Sequence, residues 1–195
     1  NVETLAIHDS ITSMDPTQFG QVVRQHLDIW QSFESIAIVS PDGTSISDTE
    51  GTASNISDRV YFGEAIQGKV VISDPLISRS TGNVVVVIAA PIRSEGQIVG
   101  LVVAALPVTE ITEQLANMQN GETGEAYLIN REGYLITETR YTDEMKQQGM
   151  FTDRPELEVK IETKGATEAL EGTTDVAQYR NYLGKSVIGG YRYID

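Results

Sequence analysis

Cysteine is absent from the 195 residues, which excludes disulfides, thiolate nucleophiles, CxxC redox pairs and cysteine-ligated zinc or iron–sulfur sites together. Histidine is almost as scarce. His8 and His26 lack the HxxxH or HExxH spacing that sets two imidazoles on one helix face, so no metal site is expected and no cofactor either. Bases are few: 14 against 28 acids, divided 5 to 12 in residues 1–97 and 9 to 16 in residues 98–195. A surface this evenly negative repels phosphate backbones and acidic lipids, so nucleic acid is not an expected partner. Long apolar runs are also missing. The richest stretch, Val84 to Val108, is cut by Arg93–Gln97 into pieces of nine and eleven residues, where a bilayer helix needs about 20. Neither a Gly-x-Ser-x-Gly elbow, a Walker loop nor a Gly-x-Gly-x-x-Gly turn occurs, so an enzyme is not expected. The chain opens at Asn1 without Met, a basic n-region or an apolar h-region, as a mature or excised fragment would.

What is present reads as a globular α+β protein. Ile7, Ile11 and Met14, then Phe19, Val22, Val23, Leu27 and Trp30, recur at spacings of three and four, which predicts a long N-terminal helical region over residues 1–33, broken or kinked at Asp15-Pro16. Ser35–Val39, Pro41-Asp42-Gly43 and Thr44–Ile46 form a hairpin pattern. Asp58 is placed to N-cap a helix from Arg59 to about Gln67, stopped by Gly68. Strands are predicted at Val70–Ser73, Asn83–Ile92 and Ile98–Leu106, the last two rich in Val and Ile on both faces, as in strands covered on both sides. Val108, Ile111, Leu115 and Met118 predict a connecting helix ending near Asn120-Gly121. A second hairpin follows over Ala126–Thr139, then loops and short helices over 140–175, and a closing strand pair in Ala177–Ile194. The acids Asp143-Glu144 and the run Glu156–Glu162 read as solvated faces.

The two hairpins repeat at an offset of 90: Ile38-Val39-Ser40-Pro41-Asp42-Gly43 answers Leu128-Ile129-Asn130-Arg131-Glu132-Gly133, and Ile46-Ser47-Asp48-Thr49 answers Ile136-Thr137-Glu138-Thr139. Gly96 and Val99 answer Gly184 and Val187 at 88. Two related α+β units in tandem account for this.

The ordered elements Asp58-Arg59-Val60-Tyr61-Phe62, Gly68-Lys69, Ser78-Arg79-Ser80-Thr81-Gly82 and Ala90-Pro91-Ile92, joined later by Gly124–Asn130 and Tyr182–Val187, resemble the double Cache (dCache) sensor domains of prokaryotic histidine kinases and chemoreceptors. The resemblance implies a long N-terminal helix carrying two PAS-like units, each an antiparallel sheet flanked by helices. On that reading, residues 1–33 are the helical region, 34–107 the membrane-distal ligand-binding unit, 108–121 the connecting helix and 122–195 a membrane-proximal unit that stops short of its last strand. It further implies an extracellular or periplasmic part of a plasma-membrane receptor, a histidine kinase sooner than a chemoreceptor. The membrane would be met only through flanking helices outside this chain, and a homodimer would form through the N-terminal helix. A subgroup of the family grips amino acids with an Arg, a Trp-Tyr pair and two Asp residues. Only Arg59 matches it; Tyr61 and Phe62 stand for Trp and Tyr, Leu76 and Ser78 for Tyr and Asp, and Ala105 for the second Asp. Without those carboxylates an ammonium lacks its counter-charge, so an amino acid is disfavoured.

The expected ligand is therefore a small anion or polar metabolite in residues 34–107. Arg59 offers a fork of N–H donors beside Tyr61 and Phe62, which can wall a pocket. Ser78, Arg79, Ser80 and Thr81 gather hydroxyls and a guanidinium in one turn, and Asp74 before Pro75 stands at its edge. Bland readings stand beside each: Arg59 pairs internally with Asp58, Asp74 or strand carbonyls, Phe62 is core, Ser80-Thr81-Gly82 is turn chemistry. A module that binds a protein and no small ligand, or a hydrolytic enzyme, are the alternatives. Asn55-Ile56-Ser57 formally fits a glycosylation acceptor.

Overall fold

The computed structural model describes residues 2–30, 32–49, 54–117 and 121–194, with the backbone alone at 16, 17, 27–29, 48, 116 and 117. The fold is mixed α/β with antiparallel sheet, and it divides into two compact units, Asn1–Val108 and Thr109–Asp195.

The first unit opens with three short helices, α1 (Val2–Ala6), α2 (Asp9–Thr12) and α3 (Pro16–Ile29), in place of the long helix that the resemblance implies; the break before Pro16 falls where the pattern puts it, and the one at Ile7-His8 is not foreseen by it. Two local interruptions explain the difference. His8 takes extended angles and its ring nitrogen accepts from Ser10 N at 3.2 Å, capping α2. Met14 adopts φ 53° after α2 has closed, and Pro16 starts α3 in the first helical position, where its missing N–H costs nothing. The break after α1 also turns Ile7 outward, so Val2 and Leu5 supply the buried contacts that periodicity assigned to it.

A six-stranded antiparallel sheet follows: β1 (Ser35–Val39), β2 (Ser45–Asp48), β3 (Val71–Ile72), β4 (Leu76–Ile77), β5 (Val84–Ser94) and β6 (Gln97–Pro107). Its order is β2-β1-β6-β5-β3, with β4 also on β5. The turn between β5 and β6 has two residues, Glu95 and Gly96, both at positive φ, which is the twist-matched hairpin turn. Because side chains alternate, Ile36, Ile38, Ala90, Ile92, Val102 and Ala104 pack under the N-terminal helices with Leu5, Ile11 and Phe19. Val39, Val85, Val87, Ala89, Leu101 and Ala105 face the other way, towards α4 (Val60–Ala65) with Tyr61, Phe62 and Ala65. The expectation of strands covered on both faces thus corresponds to two apolar layers on one sheet.

The second unit contains α5 (Thr109–Asn117), α6 (Thr142–Gln147), α7 (Lys164–Leu170) and the hairpin β7 (Asp175–Arg180) with β8 (Ser186–Tyr191). Met118, which the pattern placed in the connecting helix, lies outside the described residues. The hairpin expected over Ala126–Thr139 is reduced to an isolated bridge, Ile129 with Leu135. Its bonds remain at the turn and at Ile136 N to Leu128 O, 3.0 Å, but the rest of the ladder is lost: Leu128 N donates to the Thr137 hydroxyl at 3.0 Å in place of a backbone carbonyl, and Leu135 N to Val159 O at 2.9 Å. The run Glu156–Glu162 is solvated on one side alone, at Glu158, Lys160 and Glu162. Val159 and Ile161 are buried with Leu135, Met145 and Ala166, and the Glu158 carboxylate accepts from the backbone N–H groups of Thr152, Asp153 and Arg154.

Candidate functional site

On the α4 side of the first unit's sheet lies a cavity of about 60 Å³. Its floor is made by every second residue of three neighbouring strands: Ser35, Ala37 and Val39 on β1, Val103 and Ala105 on β6, Val85 and Val87 on β5. Register places them side by side, Ser35 opposite Ala105 and Ala105 opposite Val87, with Ala37 opposite Val103. Small and β-branched residues leave the space that a larger side chain would fill. The walls come from Ser54, Ile56, Arg59 and Tyr61 on one side and Leu76, Ser78, Arg79 and Ser80 on the other.

Five of the eight predicted residues therefore meet at this cavity: Arg59, Tyr61, Ser78, Arg79 and Ser80. The other three do not line it. Phe62 is core, buried in the apolar layer beneath α4. Asp74 is exposed. Thr81 turns its hydroxyl to Glu34 Oε1 at 2.7 Å, where Asn83 Nδ2 holds the other carboxylate oxygen at 2.8 Å, so Glu34 fastens the 78–83 turn to the start of β1.

Arg59 is the N-cap residue of α4 rather than its first helical residue, with extended angles and no side-chain cap. Asp58, expected to cap that helix, is instead paired with Arg79. Its two oxygens accept from Nη1 at 2.8 Å and Nη2 at 2.6 Å, while Nη1 also reaches the Asn55 carbonyl at 2.5 Å. The Arg79 hydrogen bonds hold the Asp58 carboxyl below the usual carboxylate range. Arg59 donates from Nη2 to the Ile77 carbonyl at 3.0 Å, and among the described residues no other partner takes its remaining N–H groups. Tyr61 is buried against this pair. Burial pushes its phenol up, and the nearby charges of Arg59 and Arg79 pull the other way, so at neutral pH it is a neutral hydroxyl between two guanidinium groups. Ser78 Oγ and Ser80 Oγ lie 3.1 Å apart on the facing wall.

The arrangement can hold a small anion by charge-assisted hydrogen bonds from Arg59 and neutral ones from Tyr61 and the serine hydroxyls, over a largely aliphatic floor. Sequence reasoning missed Asp58 as the partner of Arg79, 21 residues away, along with Glu34, Ser35 and Ser54. The alternation of small residues along β1 carried a signal for Ser35, Ala37 and Val39; nothing local marked the others.

Comparison with known proteins comes to the same architecture. The dCache_1 family model, described as a Cache domain, matches residues 3–195, and the chain belongs to that family. None of the curated proteins matches it in sequence. Among solved structures, the sensor domain of the V. cholerae histidine kinase DctB superposes with a TM-score of 0.66 at 13% identity, covering 96% of this chain and 80% of that one. The ligand-binding domain of the Pseudomonas fluorescens chemoreceptor CtaA, in complex with L-serine, gives 0.63 at 16% identity, covering 96% and 76%. That of the Pseudomonas aeruginosa amino acid chemoreceptor PctC, in complex with GABA, gives 0.62 at 16%, covering 96% and 77%.

Proposed function

We propose that this Cache domain is the extracellular ligand-binding part of a membrane signalling receptor, and that it binds a small anion in the cavity of residues 34–107. The observation that carries the reading is Arg59: a half-buried guanidinium at the cavity wall, beside a buried phenol, with donors to spare. The structural neighbours, drawn from a histidine kinase and from chemoreceptors crystallised with small ligands, support a sensor role. Leu76, Ser78 and Ala105, the positions where the amino-acid-binding subgroup differs, all line the cavity here without a carboxylate. The repeated turn hydrogen bonds at Ser40–Thr44 and Asn130–Tyr134 support two tandem units of related build. Bound ligand shifts the first unit between two arrangements that it binds with different affinity, and residues 1–33, where a second copy pairs, pass the shift on to a histidine kinase, with a chemoreceptor as the alternative output.

Arg79 favours a second reading, an interaction module in which cations serve internal pairing, since it is already committed to Asp58. A thermal-shift series with small anions separates the two. An anion at ~100 times its dissociation constant adds about 2.7 kcal/mol of stability, and Arg59→Ala abolishes the response. Absence of any anion response, or a full response in Arg59→Ala, leaves only the interaction module.

A further inference from the structure

We infer that the cavity selects a short monocarboxylate with an apolar tail over dicarboxylates and amino acids. The inference rests on the anion-site reading above and narrows it by charge, lining and size. Charge comes first. Two guanidinium groups reach the walls, but Arg79 is neutralised by both oxygens of Asp58, so the walls carry one net positive charge, on Arg59. Among the described residues of the walls a second anionic group on the ligand finds no further uncompensated cation, and the carboxylates nearby are Asp58 on Arg79 and Glu34, which precedes Ser35 in the chain and bonds to Thr81 and Asn83. An ammonium fares no better: among the described residues Asp58 is the carboxylate bonded to a wall cation, and both its oxygens already accept from Arg79. An unpaired charge in a half-buried site is costly.

The lining agrees. Ser35 apart, the floor residues Ala37, Val39, Val85, Val87, Val103 and Ala105 carry no donor or acceptor on their side chains. A methyl or ethyl group gains by leaving water there, whereas a second polar head finds few partners on that floor. Size agrees with a short ligand. At ~10–15 Å³ for each water-sized position, a cavity of about 60 Å³ offers roughly four to six such positions, enough to seat acetate, propionate or butyrate; the cavity opens to solvent, so the far end of a four-carbon dicarboxylate projects out of it and gains nothing from the walls.

The test is a calorimetric titration of the whole chain with propionate, succinate, L-alanine and inorganic phosphate at fixed pH and ionic strength, repeated with Asp58→Asn and Arg59→Ala. Asp58 is largely exposed, and circular dichroism checks that its variant keeps the fold. Propionate should bind about tenfold or more tightly than the other three, the size of one charge-assisted hydrogen bond. Asp58→Asn frees Arg79 and should raise succinate affinity about tenfold relative to propionate. Succinate, L-alanine or phosphate binding the native chain as well as propionate, in an Arg59-dependent manner, overturns the monocarboxylate assignment and leaves the anion site standing. An unchanged ratio in Asp58→Asn overturns the charge count. No binding of any of the four removes the site reading together with this one.

Discussion

The two units share a turn and differ in what they do after it. In the first, Ser40 N bonds to Thr44 O, Gly43 N to Ser40 O, and the returning chain sends Ile56 N to Gly43 O. In the second, Asn130 N bonds to Tyr134 O, Gly133 N to Asn130 O, and Ile161 N to Gly133 O. Both glycines sit at positive φ, 87° and 90°, where other residues are strained. A helix begins a few residues later in each case. Thr163 caps α7 in the ordinary way, its hydroxyl accepting from Ala166 N at 3.3 Å, whereas α4 has Arg59 at that position and no side-chain cap. Serine, threonine, aspartate and asparagine are the residues that stabilise a helix start; arginine forgoes that contribution. A guanidinium at a cap, lining a cavity, is the feature on which the proposed ligand site of the first unit rests. The second unit spends its polar side chains internally: Tyr182 donates to Glu125 at 2.6 Å, Lys185 to Glu144 at 2.5 Å and Tyr191 to Glu168.

The largest effects should come from the layers that make the units fold. Phe19 is fully buried between the N-terminal helices and the sheet, so Phe19→Ala should cost about 3–5 kcal/mol in denaturant unfolding. Met145→Ala, in the smaller core of the second unit, should cost about 2–5 kcal/mol. If Phe19→Ala unfolds like the native chain, the helices are not part of the first unit's core.

Exchanging the caps gives a smaller and more telling contrast. Thr163→Ala should lose about 1 kcal/mol and leave anion binding intact. Arg59→Asn, which supplies the missing cap acceptor in place of the bond to Ile77, should be at least as stable as the native chain and bind no anion. A variant that loses both stability and binding would make Arg59 a structural residue, and the contrast between the caps would vanish.

The weakest effect is in pH, with opposite signs in the two units. Arg79 lowers Asp58 beneath its ordinary 3.8, so that pair's contribution is present above this value and fades as pH falls through the folded one. Burial raises Glu125 above its ordinary 4.5, so its contribution is present below this value and is lost as pH rises through the folded one. Melting temperatures followed against pH should show Arg79→Gln flattening the acid limb and Glu125→Gln flattening the limb above 4.5. The reverse assignment would mean that neither the Arg79 bonds to Asp58 nor the burial of Glu125 sets these carboxylates.

Much of this organisation was legible in the chain. The Val- and Ile-rich segments around Arg93–Gln97 gave β5 and β6 because a strand covered on both faces needs no alternation of polarity. Pro41-Asp42-Gly43 and Arg131-Glu132-Gly133 gave the turns through the conformational demand on their last residue. The clustering of Arg59, Tyr61, Ser78, Arg79 and Ser80 was visible as a concentration of donors beside those strands. What stayed hidden depended on partners distant in sequence. Asp58 has the chemistry of a cap and was taken by a guanidinium 21 residues on. The helical period over residues 1–33 carries no trace of the His8 cap or of the φ at Met14. The arm at Leu135 reads as half of a local hairpin, yet bonds to Val159.

The most direct test of the anion site is a crystal structure of the chain grown with propionate. A carboxylate seated within hydrogen-bond distance of the Arg59 guanidinium, with its alkyl end against Val87 and Val103, is the result expected. Propionate bound elsewhere, or a water-filled cavity with Arg59 turned to solvent, would contradict it.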